Sequence, residues 1–239
     1  MSMAVLVEAD YANFKVPAFK ATGTTYQVPT PSAMEGLLKG IFWKPEMRYE
    51  IEEIVVFNPI EYTTIKYNEL KNKIPFNNVV EAMKGKGENN LFMDNSSHIF
   101  RLHLLLKNVR YAVKFRIHPT RKFLDTIPQD LSAEELEKVM TQFYGKYYGT
   151  IKYRFEHGKT FKSLYLGCRE YAVKHIELRD EIPYDEVDES LKGEKDLGYM
   201  LYGINWDMDS RLAKLPIYYH PIMRDGIINV KESVVTCVC

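Results

Sequence analysis

Between residues 146 and 162 the chain gathers Lys146, Tyr147, Tyr148, Lys152, Arg154, His157, Lys159 and Lys162. Ammonium and guanidinium groups suit phosphate oxygens, phenol rings suit base stacking, and an imidazole exchanges protons near neutral pH. The chemistry this points to is contact with a phosphate-bearing polymer, with proton transfer available beside it. The plainer reading is a solvated basic helix face on which Tyr147 belongs to the apolar stripe as a core residue. Other chemistry finds little support. Six histidines and three cysteines show no metal-ligand spacing, and the chain has neither a phosphate-binding loop nor a dinucleotide glycine pattern. His98 and His103, near a strand, read as structural or exposed. No metal and no cofactor is expected.

The element that must hold this cluster is a helix. Ser132 and Glu135 offer a capping box, and Leu136, Met140, Phe143, Tyr147 and Ile151 recur at steps of four and three. Gly158 is the stop, so the pattern predicts a helix over Ser132 to His157. Upstream, Met3 to Val7 reads as a strand buried on both faces. Ser32 caps a helix in which Met34, Leu37, Leu38 and Ile41 recur until Pro45, and Arg48 to Phe57 alternates as a half-buried strand ending at Asn58-Pro59.

Residues 61–98, with Lys66, Lys71, Lys73, Lys84 and Lys86, two glycines and Asp94-Asn95-Ser96-Ser97, read as a long insertion or hairpin. Ile99 to Leu106 and Arg110 to His118 are expected to pair about Lys107-Asn108-Val109, and Leu164 to Val173 to form a further strand. This order matches a ferredoxin-like sheet with two helices on one face, an α+β fold class. After the acidic stretch Glu177 to Glu189, Tyr199 to Trp206, Pro216 to His220 and Ile227 to Val235 give a β-rich C-terminal part. Two domains are therefore expected, 1–174 with the insertion 61–98, and 175–239.

Composition sets the outer bounds. A chain of 239 residues that is 46% apolar can bury a real core, which excludes disorder. It has no apolar stretch of about 18 residues, and Glu8 and Asp10 come too early for a signal peptide, so a soluble, non-secreted protein without a membrane partner is expected. Cys168, Cys237 and Cys239 cannot build a disulfide framework, which favours a reducing cytoplasm. The terminal Cys-Val-Cys follows no polybasic run, and lipidation is set aside. Thirty-two basic residues balance 32 acidic ones overall, yet residues 100–175 carry 15 Lys and Arg against 7 Asp and Glu, and residues 176–239 carry 7 against 13. The basic middle suits nucleic acid, although a charge block is often only solvated surface.

Several ordered segments carry a resemblance. Tyr26-Gln27-Val28-Pro29-Thr30, Gly40-Ile41-Phe42-Trp43-Lys44-Pro45 and Ile54-Val55-Val56-Phe57-Asn58-Pro59-Ile60 open it. Leu164-Tyr165-Leu166-Gly167-Cys168-Arg169-Glu170, Leu197 to Asn205 and Arg224-Asp225-Gly226-Ile227-Ile228 continue it over nearly the whole chain. Each motif is weak alone, and their order makes the chain resemble the CRISPR-associated protein five family, of the RAMP superfamily, in its type I-C branch. The resemblance implies an RNA-recognition-like, ferredoxin-type N-terminal domain with a β-rich extension. It implies a subunit that holds the 5′ handle of CRISPR RNA beside the large subunit and the first backbone subunit of a type I surveillance complex. In that branch the subunit also cuts the precursor repeat without metal, through attack of a 2′-hydroxyl on the adjacent phosphate.

The family's active tyrosine, lysine and histidine map here onto Phe42, Lys146 and Tyr147, so only the lysine matches. Phenylalanine moves no proton, and a phenol with a reference pKa of about 10 is a poor base near pH 7. The expected catalytic residues are Lys146, with Tyr147 or His157 handling a proton. The expected RNA contacts are Tyr26, Lys44, Tyr148, Lys152, Arg154, Lys159, Lys162 and Arg169. The alternative is a catalytically silent RNA-binding scaffold of the same complex. A small-molecule enzyme using the cleft between domains has no motif behind it.

Overall fold

The computed structural model describes residues 2–19, 22–87, 91–93, 97–204, 215–231 and 234–237. Its frame is an eight-stranded sheet. The apolar opening run forms β1 (Met3–Ala12), and the alternating segment forms β2 (Met47–Val56). Between them lies α1 (Pro31–Ile41). Its cap is Thr30 rather than the expected Ser32, with Pro31 supplying a preset φ in the first turn. Met34, Leu37, Leu38 and Ile41 face the core as their spacing requires.

The expected pair of strands about Asn108 is instead one strand, β4 (His98–Pro119). Asn108 does take a left-handed φ of 50°, but it kinks the chain without reversing it. The reason is that β1 runs along both sides of the kink, pairing Tyr11 with Lys107 and Ala9 with Val109. What changes at Asn108 is the partner on the other edge. Residues 111–119 pair with β2, whereas residues 98–107 pair with β3 (Glu61–Leu70). The Asn58 amide donates to the Asn108 carbonyl at 2.8 Å and ties the corner. The insertion 61–98 is thus a hairpin arm built on β3 and the start of β4, with α2 (Phe76–Met83) between them. Asp94, Asn95 and Ser96 lie outside the described residues.

After one helical turn, α3 (Arg121–Leu124), comes α4 (Ala133–Glu156) with the full Ser132–Glu135 capping box, and Gly158 follows at φ +59°. Leu164 to Val173 does not form the expected strand. Gly167 sits at φ +82° with its Cα so close to the Asn13 carbonyl that a Cβ would lie 1.9 Å from that oxygen, so the segment turns and docks on the end of β1. Only an isolated Tyr165–Ala172 bridge remains, and the strand beside β1 is β5 (His175–Arg179).

Further on, β6 (Glu194–Asp196), β7 (Met200–Ile204), β8 (Pro216–His220), β9 (Ile222–Arg224) and β10 (Ile227–Asn229) precede β11 (Val234–Cys237). The strand expected over Ile227 to Val235 is therefore two. β10 joins the large sheet beside β2, and β11 joins a small sheet in the order β11-β8-β7. Residues 205 and 206 of the strand expected at Tyr199 to Trp206 lie outside the described residues.

The large sheet runs β5-β1-β4-β2-β10-β9-β6, so residues beyond 174 flank it on both sides. One face carries Tyr49, Phe115 and Tyr111 toward the helices. The other face is crossed by residues 180–191, where Glu186 pairs with Arg110 and Asp188 donates its amide to Phe57. That second cover explains why both faces of Ala4 to Val7 are buried. Among the described residues, no helix is long and apolar enough to cross a membrane.

Candidate functional site

The C-terminal end of α1 meets the second half of α4. The Arg154 guanidinium donates to the Ile41 carbonyl at 3.0 Å, and the Phe161 amide donates to Gly40 at 2.8 Å. Both satisfy carbonyls that a helix end leaves open, and the cation also suits the negative end of the α1 dipole. Arg154 lies 5.4 Å from the centroid of Phe42 and 4.2 Å from that of Phe161, with the two rings nearly parallel. Gly40 leaves room here for the tips of Leu164 and Lys162, since a Cβ would come within 2.8 Å of Leu164 Cδ2. Phe42 in turn touches Tyr147, with ring centroids 6.1 Å apart, and the Lys146 ammonium sits 5.3 Å from the Tyr147 centroid.

A continuous ridge results, running Lys146, Tyr147, Phe42, Arg154, Phe161. Trp43, Lys44, Lys146 and Phe161 are exposed along it, while Phe42 and Tyr147 are buried. Lys162 approaches the Tyr165 ring, and its stem lies against Gly40. Sequence positions 42, 146 and 147 are therefore one place in the fold.

Other expected residues lie elsewhere. His157 is the C-cap of α4, eleven residues beyond Lys146 and so about 16 Å along the axis at ~1.5 Å per residue. It stacks on Tyr153, whose hydroxyl accepts from Lys159 at 3.0 Å. His157 and Lys146 cannot share one reacting phosphate at that separation. Lys152 and Arg169 are exposed, the latter on the turn that docks on β1.

Two expected base-stacking tyrosines are corrected by burial. The Tyr148 hydroxyl accepts from the Ile117 amide at 3.2 Å, capping a strand edge, and the Tyr26 hydroxyl accepts from the Leu201 amide at 3.2 Å. Burial raises the pKa of both phenols, and neither ring offers a free face. Tyr147 is likewise core. Burial first, and then the neighbouring Glu46 carboxylate, push its pKa above the ordinary phenol value. It is neutral at pH 7 and points its proton at Glu46 Oε2, 3.4 Å away.

Sequence reasoning passed over Glu46 and Phe161. Glu46 directly follows Trp43-Lys44-Pro45, a turn that brings it back to α4, and Phe161 is the aromatic residue between Lys159 and Lys162. Both signals are local and readable.

With this geometry in view, the comparison with known proteins is decisive on descent. The family profile described as CRISPR-associated protein (Cas_Cas5) matches residues 2–231. This chain belongs to the CRISPR-associated Cas5 family. A relative from Mannheimia succiniciproducens, named CRISPR pre-crRNA endoribonuclease Cas5d, is 30% identical over 92% of this chain and 91% of its own. A protein of the same name from Thermus thermophilus is 28% identical over 95% and 90%. A solved structure described as a CRISPR-associated protein aligns at a TM-score of 0.62 and 19% identity, covering 99% of this Cas5 chain and 96% of that one. The shared fold follows from that alignment. Positions 42, 146 and 147 of this Cas5 chain carry a hydrocarbon ring, a cation and a neutral phenol.

Proposed function

We propose that this chain binds CRISPR RNA by its 5′ handle within a type I surveillance complex in the cytoplasm, and that it cleaves the repeat of the precursor RNA without metal. The observation that carries this reading is the meeting of Lys146 with positions 42 and 147 on an exposed, basic and aromatic ridge. The names of the two Cas5d relatives support the nuclease activity. In this reading O2′ attacks the adjacent phosphorus, the Lys146 ammonium neutralises the charge gathering on the phosphorane oxygens, and the P–O5′ bond breaks. A 2′,3′-cyclic phosphate and a 5′-hydroxyl are left. Lys44, Lys152, Arg154, Lys159, Lys162 and Arg169 hold phosphates, and the exposed rings of Trp43 and Phe161 stack bases.

The order β5-β1-β4-β2 with α1 and α4 supports a ferredoxin-like unit that includes β5, to which the strands after residue 179 add a β-rich part. The arm at 61–98 is the proposed docking element for a backbone subunit, since Phe76, Met83 and Phe92 face solvent on it. Deleting residues 71–95 is expected to leave the isolated fold stable and to abolish co-purification with that subunit.

A silent scaffold is the second reading, favoured by the hydrocarbon ring at Phe42. Incubating the purified chain with repeat RNA in EDTA and mapping the product ends decides between them. Defined ends carrying a cyclic phosphate support the nuclease, and intact RNA that remains bound supports the scaffold.

A further inference from the structure

We propose that Glu46 is the general base of this chain's RNA cleavage, held in place by the Tyr147 hydroxyl. The inference rests on the nuclease reading above and names the group that this reading leaves open. Three observations lead to it. At the family's imidazole position stands a phenol that is buried and neutral, so it donates a proton and cannot take one. It donates to Glu46 Oε2, and the Lys146 ammonium lies over the same ring. The neighbouring carboxylates of β2 are otherwise engaged, because Glu50 is bound to His118 at 2.5 Å and Glu52 to Arg116 and Lys231. Glu46 is partly exposed, at the Trp43-Lys44-Pro45 turn that borders the ridge, and its backbone carbonyl is fixed by the Thr120 amide at 2.9 Å.

A phosphate seated on Lys146 would therefore bring its 2′-hydroxyl beside a carboxylate whose direction is set by a phenol. In the step, the O2′ proton passes to the Glu46 carboxylate, the O2′–P bond forms and the P–O5′ bond breaks. The departing 5′-oxygen takes a proton from the Lys146 ammonium. Glu46 and Lys146 then exchange protons with solvent, so no oxidant, water or metal is consumed. The Glu46 carboxylate accepts from the Tyr147 hydroxyl of α4, and Lys44 and Arg48 lie two residues to either side of it in the chain.

The test measures single-turnover cleavage and repeat-RNA binding in EDTA for wild type, Glu46→Gln, Glu46→Asp and Tyr147→Phe. Glu46→Gln is expected to slow cleavage about 10²-fold or more with affinity changed by less than about threefold. Glu46→Asp keeps the carboxylate and retains part of the rate. Tyr147→Phe, which loses only the positioning bond, slows it by about tenfold or less. Wild-type cleavage with Glu46→Gln unaffected overturns the role of Glu46 and leaves the nuclease reading standing. A wild type that binds repeat RNA and leaves it uncut overturns both.

Discussion

The basic block of residues 100–175 is split by the fold into two populations. On the side of the sheet away from α1 and α4, its cations are matched to carboxylates. Arg110 pairs with Glu8 and Glu186, and Arg116 pairs with Glu52, which also binds Lys231 and accepts from Ser2 at 2.7 Å. On the ridge the cations rest on rings or hydroxyls instead: Lys146 on Tyr147, Arg154 beside both Phe42 and Phe161, Lys159 on Tyr153 and Lys162 on Tyr165. A cation in an ion pair must give up that pair to bind phosphate. A cation on an aromatic face is held by only about 0.5–1 kcal/mol at an exposed site and keeps its charge to offer. The same residue types thus serve cohesion in one region and, under the proposed function, recognition in the other.

The sharpest contrast lies in chemistry. Lys146→Ala should lower the cleavage rate about 10²- to 10³-fold while changing repeat-RNA affinity by about tenfold or less, because its charge acts where charge develops. Arg116→Ala should leave the rate within about twofold. Equal losses in single-turnover assays would erase the distinction between the regions.

Affinity comes next. Replacing Lys44, Lys159 and Lys162 together by Ala should weaken repeat-RNA binding about 10- to 100-fold and flatten the salt slope by about 2, at ~0.7 per phosphate contact on a single strand. The matched set Arg101, Lys107 and Lys174, paired with Glu69, Glu61 and Asp10, should leave the slope nearly unchanged. Filter binding across a salt series reads both.

Stability should show the reverse order. Burial alone would raise the Glu52 pKa, but hydrogen bonds from Lys231 and Ser2 and the charge of Arg116 hold it below the usual value. Its stabilisation is thus fully present above the unfolded-state pKa and is lost as pH falls through the lower folded-state value. Glu52→Gln should cost about 1–3 kcal/mol in urea melts at pH 7, with the gap closing under acid, whereas Lys146→Ala should stay within about 0.5 kcal/mol.

The smallest effect tests the contact of Arg154 with the two rings. Arg154→Lys keeps the charge but loses the planar stack and the aligned bond to Ile41, and should cost about 1 kcal/mol with a several-fold drop in affinity. An unchanged melting temperature would show that Arg154 serves recognition alone.

Local signals were enough for much of this molecule. The capping box at Ser132 and Glu135, the apolar stripe through Phe143, Tyr147 and Ile151, and the stop at Gly158 define α4 because helix ends and helix faces are decided by residues three and four apart. The alternation in β2 and the double burial of β1 were legible for the same reason. The order of weak motifs from Tyr26 to Ile228 identified the family.

Only the tertiary structure decided which neighbours in space these residues acquire. Asn108 has the composition of a turn, and β1 along both sides of it holds β4 extended. Leu164 to Val173 has strand composition, and the close approach of Gly167 to Asn13 makes it a turn. Tyr26, Tyr147 and Tyr148 are the same residue type as a stacking platform and are core, because burial is set by what packs on them from distant segments. The pairing of Tyr147 with Glu46, 101 positions apart, is a property of the fold. Charge type is written in the sequence, but whether a charge is spent within the fold or kept for RNA depends on partners brought together across the sheet.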